Sequence, residues 1–137
     1  HQHVASLLQI VSDIERISDY CENISEYAEN LANQKKKFSG VGAAEMKEIL
    51  EVCSDSFTYA VEAFEENSAE KALKVIEKER SADDLEIRLR ADHMQRLANK
   101  QCDTEAGIVF LDALVGLERI SDHSRNIAEE VLSASNK

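Results

Sequence analysis

No proline occurs anywhere in the 137 residues. Proline normally makes up about 5% of a chain and breaks helix interiors, so its absence leaves long helices uninterrupted. Glycine is scarce, at four residues, and aromatic side chains make up 5%. An all-β sandwich or barrel needs turns every ~8–12 residues and strands rich in β-branched and aromatic residues, which excludes that class. Positive charge is also short: 16 Lys plus Arg stand against 27 Asp plus Glu, a net charge of −11. A face that neutralises phosphates needs clustered Lys and Arg. The one basic run, Lys35-Lys36-Lys37, falls in a predicted loop, so nucleic acid is excluded as a partner. No apolar run approaches the ~18 residues of a membrane span.

Cysteine is sparse too. Cys21, Cys53 and Cys102 are widely spaced with no CxxC, which fits neither a disulfide framework nor a zinc ribbon. Reduced thiols in a cytosolic setting are expected. What is present is a hydrophobic content of 43%, enough to exclude a disordered chain. The length suits one domain, 1–137. The opening His1-Gln2-His3 has neither an initiator Met nor a signal-peptide pattern, and the chain is expected to be a piece of a longer protein.

Hydrophobic periodicity predicts four helices, over 4–33, 43–66, 69–99 and 105–135. In the first, Ile10, Ile14, Ile17, Cys21, Ile24, Ala28 and Leu31 alternate steps of four and three, the seam of a bundled helix. In the second, Met46, Ile49, Leu50, Cys53, Phe57, Ala60, Val61 and Phe64 form the stripe. The third is heavily charged, with Leu73, Ile76, Ile87, Met94 and Leu97 as its expected core side. The fourth carries Phe110, Ala113, Leu117, Ile120, Ser124, Ile127 and Val131. A polar stretch over 34–42 separates the first two helices. Ser68, and Asp103 or Thr104, are the expected N-caps of the last two. Short connections force antiparallel neighbours. The predicted fold is all-α: an antiparallel up-down bundle of four long helices.

An internal repeat carries most of the functional information. Glu15-Arg16-Ile17-Ser18-Asp19, followed by Asn23-Ile24, recurs as Glu118-Arg119-Ile120-Ser121-Asp122, followed by Asn126-Ile127. A looser copy, Glu79-Arg80-Ser81-Ala82-Asp83, lies in the third helix. All three share Glu-Arg-x-x-Asp. Residues i and i+4 are neighbours on a helix surface, so each copy presents two carboxylates side by side. Pairs from adjacent helices would offer oxygen ligands to hard or borderline cations such as Fe, Mn, Mg, Ca or Zn. By helical rotation, Glu15 and Asp19, and likewise Glu118 and Asp122, project from a flank or outer face. Glu79 and Asp83 fall on an apolar face, where carboxylates are costly unless paired or metal-bound. The plainer account is that such acids form solvated faces with Arg–acid pairs, each contributing roughly 0.3–0.5 kcal/mol.

Other polar residues are weaker candidates. Asn23 and Asn126 lie two turns after their motif glutamates, and Asp55 sits midway along the second helix. His93 is expected to be a hydrogen-bonded interfacial histidine. His123 is expected to point away from Asp122. His1 and His3 could act only as adventitious ligands. The sequence holds no HExxH, no Glu-x-x-His, no Gly-rich phosphate loop, no EF-hand loop and no nucleophile elbow. No active site is expected, and the chain is read as a non-enzyme.

Glu-Arg-Ile-Ser-Asp-x-x-x-Asn-Ile on a bundle helix resembles the signature of the PhoU family of phosphate-transport regulators. The family pattern has Gly where Ser18 and Ser121 stand. The resemblance implies the end of one three-helix repeat, a linker and one full repeat. It also implies metal clusters bound through the acidic motifs. Carried over, Glu79, Asp83, Glu118 and Asp122 would form one site, and Glu15 and Asp19 would belong to another. The metal would be a divalent or trivalent ion, with Fe, Zn, Mn or Ni as options, and no small-molecule organic cofactor is implied. The implied partner is a membrane phosphate transporter, fused or separate. The chain also resembles the PhoU-like C-terminal domain of bacterial Na/Pi-cotransporter-related proteins, which would make it cytoplasmic and tethered to the inner membrane through upstream segments. The competing reading is a structural helical adapter, or a dimerisation module pairing as a homodimer, without metal. A carboxylate-bridged di-metal hydrolase or oxidase is a third.

Overall fold

Four helices account for almost all of the described residues, 2–135, in the computed structural model: α1 (Gln2–Asn33), α2 (Gly40–Glu66), α3 (Ala69–Ala98) and α4 (Thr104–Ser135). At ~1.5 Å per residue, each is long enough to run the length of a small domain. Their ends are fixed by local chemistry. Ser68 caps α3, its hydroxyl accepting from the Lys71 N–H at 3.2 Å. Asp103 caps α4 through Ala106 N–H at 2.9 Å. Asn67, at φ 52°, closes α2 in the left-handed region, where Asn is tolerated better than most residues.

The start of α2 differs from the expectation. The helix begins at Gly40, not near 43, because Ser39 is an N-cap whose hydroxyl accepts from Gly42 N–H at 3.1 Å. Gly40 and Gly42 therefore lie in the first helical turn, where a cap overrides their poor helix propensity. The remaining boundaries coincide or differ by one or two residues.

Lys71 of α3 pairs with Glu62 of α2, and Glu79 of α3 with Arg125 of α4. The first joins the end of α2 to the start of α3, and the second joins the first half of α3 to the last third of α4, as antiparallel neighbours require. α2, α3 and α4 pack mutually into a three-helix unit, whereas α1 packs on α4 alone among the described residues. The core is built around Ile49, Cys53, Val75, Leu89, Phe110, Leu114, Leu117 and Ile127. The whole predicted seam of α4 is buried. A second ridge, Gly107, Leu114, Ser121 and Ala128, is buried as well, because α4 has neighbours on several sides.

Two seams sit differently from the pattern read in the sequence. In α1, Ile10, Ile17 and Leu31 are buried, while Ile14, Cys21 and Ala28 face outward. With α4 as the one neighbour, a single row at seven-residue spacing suffices. In α3 the buried row is Ala72, Val75, Glu79, Ala82, Glu86, Leu89 and His93, an unbroken heptad alternation of three and four. Leu73, Ile87 and Met94 each lie one residue past a member of that row and are exposed. One residue is ~100° of helix rotation. The large side chains mislead because the true core side of α3 carries small and charged residues.

Candidate metal centre

Glu79 occupies a core position of that heptad row and is 5% exposed. Asp83, one turn on, is half-buried on the α4 side. Asp122 comes from the facing turn of α4, half-buried rather than projecting outward as its rotation against the α4 seam implied. One carboxylate oxygen of each lies within 4.8 Å of the others. Two acids of a helical i, i+4 pair and one from an antiparallel neighbour thus converge on one point.

Like charges at this separation raise one another's pKa, and burial adds to it. Asp83 is pushed up to about 6, first by burial, then by its hydrogen bond to Glu79 and the charges of Glu79, Asp122 and Glu118. Asp83 is therefore the acid of the cluster that takes up a proton most readily as the pH falls toward 6. Asp122 is also raised, by burial and by Glu79, against the opposing pull of Arg119, His123 and Arg125. Glu118 lies one turn before Asp122. Its carboxyl is raised by burial and by Glu86 and Asp122, so it feeds negative potential into the centre from beside the triad. Glu86, buried in the α3 row, is held by Arg90 Nε at 2.7 Å.

The positive charge is supplied by Arg125. Its Nη1 donates to Glu79 Oε2 at 2.7 Å, and its Nε to Glu129 Oε1 at 2.8 Å. Among the described residues neither Asp83 nor Asp122 forms an ion pair with Lys or Arg. Cys53 lies near the acids, buried, with its thiol donating to Leu117 O at 3.4 Å. Burial and the nearby Asp83 and Asp122 push it up to about 12, so at neutral pH it supplies no thiolate. The donor set is all carboxylate. It suits a hard or borderline cation, and its excess negative charge is what such an ion would neutralise.

Glu15 and Asp19 take no part in this cluster; both are exposed on α1. Asp55 is exposed and lies 4.0 Å from Lys78. His93 is the interfacial histidine the pattern indicated, stacked on Phe110 at 4.0 Å. Its Nε2 meets Gly107 O at 3.0 Å and its Nδ1 meets Arg96 at 3.1 Å. His123 points to α1, with Nδ1 2.9 Å from Asp13 Oδ1 and its ring stacked on Tyr20. Asn126 donates to the same Asp13 oxygen at 3.3 Å, while Asn23 is exposed. His1 lies outside the described residues.

Sequence reasoning missed Asp13, Arg125 and Glu86. Asp13 is 2% exposed. Its signal was its place between Ile10 and Ile17 on the inward side of α1. Arg125 was signalled only by lying three residues after Asp122.

The PhoU domain family matches residues 1–28 and 46–131. The chain belongs to the PhoU family. The matched stretches include every member of the acid cluster, together with Glu15 and Asp19. The phosphate-specific transport system accessory protein PhoU homolog 1 of Thermotoga maritima is 28% identical over 135 residues. That alignment covers 96% of this chain and 56% of the relative, so the chain spans little more than half the length of that PhoU homolog. No solved structure gives a significant match.

Proposed function

We propose that this chain is a metal-binding regulatory domain acting on phosphate transport, and not an enzyme. The observation that carries the metal part is the convergence of Glu79, Asp83 and Asp122 from two helices, with more negative charge than the local cations balance. The transport part rests on PhoU family membership and on the T. maritima relative, whose name places it with a phosphate-specific transport system. The partner is a membrane phosphate transporter, either separate or fused upstream as in a Na/phosphate cotransporter-related protein. The domain would then sit on the cytoplasmic side.

Glu79, Asp83 and Asp122 are the residues that would hold the ion, with Glu118 beside them. A bound cation supplies positive charge that removes the mutual repulsion of these acids. The residues themselves set the consequence. Glu79 and Asp83 belong to α3 and Asp122 to α4, so their relaxation tightens α3 against α4. That junction shapes the exposed faces available to a transporter. Glu15 and Asp19 would need a further acidic helix against α1 to form a second site.

Metal analysis tests the reading. Purified protein dialysed against Mn²⁺, Fe²⁺, Zn²⁺ or Ni²⁺ is expected to retain stoichiometric metal and to melt higher with it. Glu79→Gln combined with Asp122→Asn should lower the affinity at least about tenfold, or ~1.4 kcal/mol. Glu15→Gln combined with Asp19→Asn should leave it unchanged. Wild-type protein with no stoichiometric metal and no metal-dependent melting shift would leave the structural adapter as the answer.

A further inference from the structure

Arg125 stands between the acid cluster and a second carboxylate. One edge of its guanidinium holds Glu79 at 2.7 Å and the other holds Glu129 at 2.8 Å. Glu79 is the most buried acid of the cluster, whereas Glu129 lies one turn further along α4 and is exposed. The Arg125 side chain is 34% exposed, so it can turn outward without opening the core. A single guanidinium cannot neutralise three converging carboxylates, and an incoming cation would draw on the same Glu79 carboxylate that Arg125 holds.

We infer that Arg125 is the built-in competitor of the bound cation: a positioning residue that holds Glu79 in the metal-free protein and is handed over to Glu129 when an ion takes its place. The inference rests on reading the cluster as a metal site. It gives the site a set affinity rather than the highest attainable one. It also links occupancy to the last turns of α4, because the Arg125–Glu129 pair is relieved of its share with α3. The exchange is cheap, since Arg125 keeps a carboxylate partner throughout. No other Lys or Arg among the described residues pairs with the triad, so the role has one holder.

The test is calorimetric titration of the whole chain with Mn²⁺ alone, repeated with Zn²⁺ alone, and paired with melting curves. Arg125→Gln should bind about tenfold more tightly than wild type, a gain of ~1.4 kcal/mol, while melting lower without metal. Glu129→Gln removes the receiving carboxylate and should weaken binding roughly two- to threefold, the scale of an exposed pair. Arg125→Lys keeps the charge but loses the two-sided grip, and should bind more tightly than wild type but less tightly than Arg125→Gln. Both positions are partly or fully exposed, so the variants fold. Arg125→Gln binding as wild type does, or more weakly, overturns the inference while the metal site stands. Wild type that takes up neither ion here, and neither Fe²⁺ nor Ni²⁺ on dialysis, overturns the metal reading itself and this inference with it.

Discussion

α1 and α4 share the pentapeptide Glu-Arg-Ile-Ser-Asp, 103 residues apart, yet only one copy meets other acids. Leu114 and Leu117 of α4 are 0% and 2% exposed, whereas their counterparts Val11 and Ile14 of α1 are 52% and 39% exposed. Asp122 faces Glu79 and Asp83, while Asp19 faces outward. The motif fixes which carboxylates share one side of a helix. It does not supply the second helix that turns a pair into a cluster. α4 has α3 for that purpose and α1 has only α4, so the same residues are a candidate site in one place and surface acids in the other.

That contrast can be broken most strongly in the core. Leu117→Ala should cost about 2–4 kcal/mol, because the side chain lies in the core and is 2% exposed. Ile14→Ala should cost under about 1 kcal/mol, since much of the side chain is already in water. Denaturant unfolding of the two variants measures the gap, and equal losses would mean that α1 is covered as α4 is.

The hold of α1 on α4 is the next test. Asp13→Ala removes a buried acceptor shared by His123 and Asn126. Losing both bonds should cost about 1–3 kcal/mol. Hydrogen exchange should show α1 opening while α2, α3 and α4 stay protected. Uniform loss of protection would mean that all four helices unfold as one unit.

A smaller effect should appear in the pH dependence of the metal-free protein. Asp83 titrates near 6 when folded and near its ordinary value of 3.8 when unfolded. The folded state then binds the proton more tightly, so this group's contribution falls as pH rises from about 4 through 6 and stays low above that. Melting temperature should therefore drop between about pH 4 and 6 in wild type. Asp83→Asn should flatten that part of the profile, and Asp19→Asn should not. An unchanged slope in Asp83→Asn would show that the cluster does not strain the fold.

The smallest effect concerns the motif's serine. Ser121 is fully buried with no hydrogen-bond partner for its hydroxyl, while Ser18 is exposed. Ser121→Ala should stabilise by about 0.5–1 kcal/mol, through loss of an unsatisfied polar group and better helix propensity. Ser18→Ala should change stability by no more than the propensity difference of a few tenths of a kcal/mol. Thermal melting of the pair checks it.

How far the sequence could be read follows from these same residues. The lack of proline and the three–four spacing gave four helices, with caps at Ser68 and Asp103 legible from residue type. The repeat gave the family resemblance and the acids worth watching. α3 was read about 100° out of register, because Leu73, Ile87 and Met94 outweigh the alanines and glutamates that actually face inward. Asp13 was passed over because a lone acid within an apolar row reads as surface until a His and an Asn are seen to meet it. Arg125 was signalled only by its place three residues after Asp122, since its partner Glu79 lies 46 residues away.

The sequence by itself determined where the helices run, that α1 and α4 are duplicates, and which carboxylates lie side by side on each. Those are local matters: backbone propensity and the 3.6-residue turn decide them within one helix. The tertiary structure alone decided which flank of each helix meets another. It turned Asp122 toward Glu79 and Asp83, left Asp19 in solvent, buried Asp13 and set Arg125 on Glu79. A helix carries its faces with it, but the burial and charge of a face depend on what packs against it, and that is settled between helices far apart in the chain.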